Sequence, residues 1–219
     1  MENWDNYFKV YIIESPSAND LLHGRCEGTS LTSIFKLEDI PYEYYLAINK
    51  DTVKSALELI KEDMLYVHYE EMRECFFFPI IHLSCHGNED CIAFSSGDSI
   101  KWNELNQIIN DMELNLAFDE GGTINPLSLS MSSCCGLYAI FADREEHSVD
   151  KSPFAFVLGH EESIRWDDAL IAFATYYHNL IKKELTMTDS VRCMNNSINN
   201  ADFFKSFHSH DAYNLLSNG

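Results

Sequence analysis

The stretch "PIIHLSCHG", Pro79 to Gly87, decides how the rest of the chain is read. It closes a nearly unbroken apolar run that begins at Phe76. Such a run is expected of a strand covered on both faces, the situation of a parallel sheet between helix layers. It ends in Cys85, His86 and Gly87, so the strand delivers an imidazole to its carboxyl end and turns on a residue without a side chain. A second stretch answers it: "LSLSMSSCCG", Leu127 to Gly136, another apolar-alternating strand that ends in two thiols and a glycine.

Outward from these two runs, strand and helix alternate. "YFKVYIIES", Tyr7 to Ser15, reads as a first buried strand, and Ser30 to Leu37 as helix. "YEYYLAIN", Tyr42 to Asn49, reads as a second strand. It is followed by a helix opened by Asp51, with Val53, Ala56, Leu57, Ile60 and Met64 at helical spacing. "CIAFSSGDSI" reads as a hairpin turning at Ser96-Gly97-Asp98, and "KWNELNQIINDMELNL" as the next helix. A helix behind Gly136, a strand over Ser152 to His160, and helices opening at Trp166 and Thr188 complete the pattern. The tail from Ala201 gives no clear period. Strands joined through helices imply a single α/β domain over residues 1–219, with a mostly parallel central sheet and helices on both faces. In open sheets of this kind ligands and reacting groups collect at the carboxyl ends of the strands. Both His86 and Cys134 fall at such ends.

Bulk composition narrows the function. Of 219 residues 46% are hydrophobic, enough for one sizeable core, and no run is long enough for a membrane span. The net charge of −20, from 35 acidic and 15 basic side chains, would repel a phosphate backbone, so no nucleic-acid partner is expected. Seven cysteines, an odd number, with no basic leader before an apolar segment, fit a reduced, cytoplasmic protein better than a disulfide scaffold. No two short-spaced ligand pairs occur, so no structural zinc is expected. Cys26, Cys75, Cys85 and Cys193 read as small apolar filler, and His82 as a core histidine.

A thiol attacks a carbonyl only as thiolate, and a neighbouring imidazole can take its proton. The developing oxyanion then needs backbone N–H donors. His86 and Cys134 in this order supply both reacting groups, 48 residues apart. "SCHG" after one apolar strand and "SSCCG" after the next resemble the caspase-type cysteine peptidases, the clan that includes caspases, metacaspases, separase and the bacterial CHAT domains. The histidine of the caspase signature lies about 50 residues upstream of its cysteine. "HLSCHG" is similar to the His-Gly motif of CHAT domains in particular. Ser132-Ser133 stands where caspases carry Gln-Ala, so the likeness is to the clan rather than to caspases themselves.

The resemblance implies a caspase-like sandwich and a cysteine endopeptidase that needs no cofactor or metal. His86 would be the base and Cys134 the nucleophile, with the amides of Gly87 and Cys134 as the oxyanion hole. Cys135 stays open as the alternative nucleophile. Glu14, Asp20 and Arg25 in and after the first strand are candidates for the substrate pocket. Glu14 or Asp20 would suit a basic side chain and Arg25 an acidic one. The resemblance further implies a protein substrate, a gasdermin-like protein in bacterial antiviral defence or cell death. The competing expectation is a catalytically silent caspase-like interaction module, whose acidic surface would bind a basic partner.

Overall fold

The computed structural model describes residues 6–71, 76–112, 116–117, 123–124, 127–141 and 154–208. The chain runs β1 (Asn6–Ser15), α1 (Ala18–Leu22), α2 (Glu27–Glu38), β2 (Tyr42–Leu46), α3 (Lys50–Tyr66), β3 (Phe76–Gly87), β4 (Cys91–Ala93) and β5 (Ser99–Lys101). There follow α4 (Trp102–Asn110), β6 (Leu116–Ala117), β7 (Thr123–Ile124), β8 (Ser128–Met131), α5 (Tyr138–Phe141), β9 (Phe156–Gly159), α6 (Trp166–Tyr177), α7 (Met187–Ser197) and β10 (Lys205–His208). Helix α3 continues into a π-helical turn over Val67–Glu71, and α6 into one over His178–Lys182.

The main sheet is ordered β10-β9-β8-β3-β1-β2. The pairs β1–β2, β1–β3, β3–β8 and β8–β9 are parallel, and β10 joins β9 antiparallel. The carboxyl end of β3 also pairs with β4, which hairpins into β5, giving eight strands in all. This is the α/β architecture with a mostly parallel sheet that the alternation of runs implies, and it is consistent with a caspase-like sandwich. Among the described residues no helix is long and apolar enough to cross a membrane.

Alternation sorts the strands between two cores. Tyr11, Ile13, Ile81, Leu83, Leu129 and Met131 share a cluster with Val53, Leu57 and Ile60 of α3 and with Trp102, Leu105 and Ile109 of α4. Val10, Ile12, Ile80 and Leu158 share the other with Leu31 and Phe35 of α2, Phe173 and Tyr177 of α6 and Met194 of α7. Burying a side chain of this size contributes about 1.5–3 kcal/mol. On this second face β3 turns polar toward its carboxyl end, from Ile80 through His82 and Ser84 to His86. Ser128, Ser130 and Ser132 do the same on β8.

Three readings need revision. The N-cap of α3 is Asn49 rather than Asp51. Asn49 accepts from the Thr52 amide while the Thr52 hydroxyl accepts from the Asn49 amide, a capping box two residues earlier than expected. The tail forms an eighth sheet strand, β10. Asn195 of α7 brackets the Phe204 main chain, donating to its carbonyl at 2.9 Å and accepting from its amide at 2.8 Å, which seats the strand. Cys26 and Cys193 are half-buried rather than core, whereas Cys85 is buried as expected; Cys75 lies outside the described residues.

Candidate active site

The pairing of β3 with β8 carries a constant offset. Ile80 faces Ser128, Ile81 Leu129, His82 Ser130 and Leu83 Met131, each 48 positions apart. The Ser132 amide donates to the Leu83 carbonyl at 2.9 Å, so the ladder runs one step past the end of β8. The same offset separates His86 from Cys134. Two parallel strands in register therefore bring the imidazole and the thiol to one edge of the sheet. The approach is close: a Cβ on Gly87 would lie 2.5 Å from the Cys134 carbonyl oxygen and 3.2 Å from Ser133 Cβ. Only a glycine allows the two main chains to meet there.

Cys134 opens a tight turn. The three amides that follow it are all engaged by main-chain carbonyls: Cys135 by Glu162 at 3.1 Å, Gly136 by Ser133 at 3.1 Å and Leu137 by His160 at 3.1 Å. Among the described residues no acceptor takes the Cys134 amide. A carbonyl oxygen arriving there would find an unspent donor. Cys135 sits in the left-handed region at φ 58°, and burial, with the nearby Cys134 and Glu89, pushes its thiol above the ordinary range. β8 ends at Met131, and both Cys134 and Cys135 lie in the turn beyond it. Cys85, next to His86 on β3, is on the opposite face of that strand and buried, its thiol pushed up to about 12 by that burial. Of the two rival nucleophiles, Cys134 is the one whose main chain meets Gly87, the neighbour of His86.

His86 is held from two sides. Its Nε2 lies 2.6 Å from Asp20 Oδ2, and its ring meets Trp166 of α6 edge-to-face at 5.4 Å and 78°. About half of the imidazole stays open, with 46% of the side chain exposed. Asp20 is almost fully enclosed. It is the third helical residue of α1, in a capping box with Ser17, whose hydroxyl also donates to Oδ2. Burial pushes the Asp20 carboxyl up, but the hydrogen bonds from Ser17 and His86 and the His86 charge outweigh it and hold the group below its ordinary range. A carboxylate on Nε2 selects the tautomer protonated there, which leaves Nδ1 as the free base.

The three residues proposed for a substrate pocket separate. Asp20 is turned onto His86. Arg25 stands beside it, Nε 3.6 Å from Oδ1 and half-exposed. Glu14 does not line the cleft. It is 1% exposed, and its carboxylate accepts from the amides of Gly28 (2.7 Å) and Thr29 (3.0 Å) and from the Tyr44 hydroxyl (2.7 Å). Those bonds cap the start of α2, because a carboxylate is the natural partner of unsatisfied first-turn amides. Trp166 and Ser17 were not visible as site residues in the sequence. A capping signal, Ser17 followed three residues on by an acid, marks the helix start but not its neighbour across the cleft. Among the described residues no group of three or more His, Cys, Asp or Glu side chains is placed to hold a metal ion.

No protein-family model matches this chain, and no curated protein sequence matches it.

Proposed function

We propose that the chain is a cysteine endopeptidase in which Asp20, His86 and Cys134 act in sequence on a peptide bond of a protein partner. Asp20 holds the proton on Nε2 of His86. Nδ1 removes the proton from the Cys134 thiol, and the thiolate adds to the scissile carbonyl. The oxyanion forms against the Cys134 amide, with the Gly87 amide as the second donor of the proposal. The imidazolium, steadied by Asp20, returns its proton to the leaving amine, and an acyl-Cys134 thioester remains. Water then gives its proton to His86 and its hydroxyl to the acyl carbon, which frees the acid and the thiol.

The observation that carries this reading is the joint placement of Asp20–His86 and the Gly87–Cys134 contact at one sheet edge. The resemblance of "SCHG" and "SSCCG" to caspase-type peptidases adds the biological part. That part is a cytoplasmic enzyme of bacterial defence or cell death whose substrate is a gasdermin-like protein.

The test is selective alkylation. Sub-stoichiometric chloroacetamide at about pH 6.5 is mapped by mass spectrometry on the native chain, on Cys135→Ala and on His86→Ala. Cys134 is expected to react first in the native chain and in Cys135→Ala, and about 100-fold more slowly in His86→Ala. Candidate protein substrates are then cleaved by the native chain and not by Cys134→Ala. Labelling of Cys134 that ignores His86, with no cleavage, would overturn the reading in favour of a silent binding module.

A further inference from the structure

Beneath the dyad lies a buried polar chain that the proposed chemistry does not use. Glu27, the first residue of α2, is 2% exposed. Its Oε2 accepts from the Ser84 hydroxyl at 2.6 Å, and its Oε1 lies 3.5 Å from His82 Nε2. His82 is fully enclosed, and its Nδ1 is 2.9 Å from the Tyr177 hydroxyl of α6. Among the described residues neither Glu27 Oε1 nor His82 Nε2 has a hydrogen-bond partner, and the two face each other at that 3.5 Å.

A carboxylate, an imidazole and two hydroxyls in a core are costly unless they are hydrogen-bonded or paired with one another. These four tie three elements together: α2, β3 and α6. The same elements frame His86. Asp20 comes from the α1–α2 segment, Trp166 is the first residue of α6, and His86 itself follows Ser84 by two residues on the same face of β3. The contact of Asp20 with His86 and that of Glu27 with Ser84 are thus two rungs between one segment and one strand. Helix α1 has only five residues and its far end is solvated, with Leu21, Leu22, His23, Gly24 and Arg25 all exposed. Little of its own packing presses Asp20 onto the imidazole. The start of α2 is held to β1 by Glu14, which accepts from the Gly28 and Thr29 amides, and to β3 by Glu27 through Ser84.

We propose that Glu27 is a positioning residue for His86: by fixing the α1–α2 segment to β3 at Ser84, it sets the Asp20–His86 contact. The proposal rests on the peptidase reading only for its consequence in catalysis; the positioning itself is a structural claim that can be read without turnover.

The test uses Ser84→Ala, Glu27→Ala and Glu27→Gln in the full chain, each alone and combined with Asp20→Ala. The first readout is ¹⁵N NMR of the His86 ring. Nε2 is expected to carry its proton in the native chain and in Glu27→Gln, whose amide oxygen still accepts from Ser84. In Ser84→Ala and Glu27→Ala the two tautomers are expected to mix. The second readout is the rate of Cys134 alkylation, which should fall about tenfold in Ser84→Ala, and by less than about twofold when Asp20 is already alanine. Ser84→Ala removes one hydroxyl and keeps the fold measurable should Glu27→Ala unfold. Unchanged His86 nitrogen shifts in Ser84→Ala, or an equal rate loss with and without Asp20, would overturn the proposal. Failure of the peptidase reading looks different: native Cys134 reacts independently of His86, while the His86 ring still answers to Ser84.

Discussion

Gly87 and Cys134 meet through their main chains, with room for a hydrogen and not for a methyl group: a Cβ on residue 87 would fall 2.5 Å from the Cys134 carbonyl oxygen. The obstructing atom is backbone in a tight turn, so it cannot swing aside as a flexible side chain would. Gly87→Ala should therefore cost about 1–3 kcal/mol of stability. It should also push the Cys134 turn away from His86. Urea unfolding and Cys134 alkylation, measured on the same preparation, check both. Native stability with native alkylation would mean that the two strand ends are not in contact.

Asp20 has two predicted effects. Asp20→Asn keeps the shape but can present its amide N–H₂ to Nε2, which favours the wrong tautomer of His86. Loss of a charged hydrogen bond of this kind is worth about 1.5–3 kcal/mol, so Cys134 alkylation should slow about 10- to 100-fold. The carboxyl is held below its ordinary range in the folded chain, so its contribution to stability is complete above that range and is lost as pH falls from there through the lower folded value. Unfolding free energy measured between neutral and acid pH should fall less steeply in Asp20→Asn than in the native chain. Parallel slopes would show that the carboxyl is not held by Ser17 and His86.

Trp166 closes the other side of His86 through an edge-to-face contact at 5.4 Å. Such pairs are worth about 0.5–1.5 kcal/mol beyond area burial. Trp166→Ala should leave the fold cooperative and slow Cys134 alkylation about two- to tenfold, with Trp166→Phe restoring most of it. Equal rates in all three chains would remove Trp166 from the site.

The sequence made His86 and Cys134 legible because their spacing is a register. Parallel strands paired at an offset of 48 bring residues 48 apart to one edge, and apolar runs ending in His-Gly and Cys-Cys-Gly announce both edges. Asp20 was visible as an acid near the first strand's end but not as the partner of His86, because 66 residues separate them and the contact depends on how a five-residue helix is seated. Glu14 misled for the opposite reason. A charge at the end of an apolar strand suggests a cleft, yet here it is turned inward to cap α2, a role set by tertiary contact with Gly28, Thr29 and Tyr44. Glu27 has the ordinary look of a first-turn acid, and only the packing of α2 on β3 buries it. Strand β10 is four residues long, pairs antiparallel, and is seated by Asn195 rather than by any period of its own. It could not be read locally.

His160 gives a pH prediction independent of the dyad. It follows β9, is fully buried, and stacks on Phe203 at 4.8 Å while meeting Phe204 edge-on at 5.2 Å. Burial pushes its imidazole down to about 4, against the raising pull of the Glu162 main chain and the Glu27 charge. The folded chain thus holds a neutral ring where the unfolded chain takes up a proton near the ordinary histidine range. Stability from this group is complete above about pH 6.5 and is lost as pH falls from there toward about 4, by roughly 3 kcal/mol in all. His160→Leu removes the titration and leaves an apolar side chain against the two phenylalanines. Its stability at neutral pH is expected to change by about 1–2 kcal/mol, while the steep loss between neutral and acid pH should be markedly reduced. Urea midpoints of both chains across that interval give the answer. The Asp20 contribution is common to both and cancels in the difference. An unaltered slope in His160→Leu would mean that the ring is solvated in the folded protein and that the seat of β10 beside it is open.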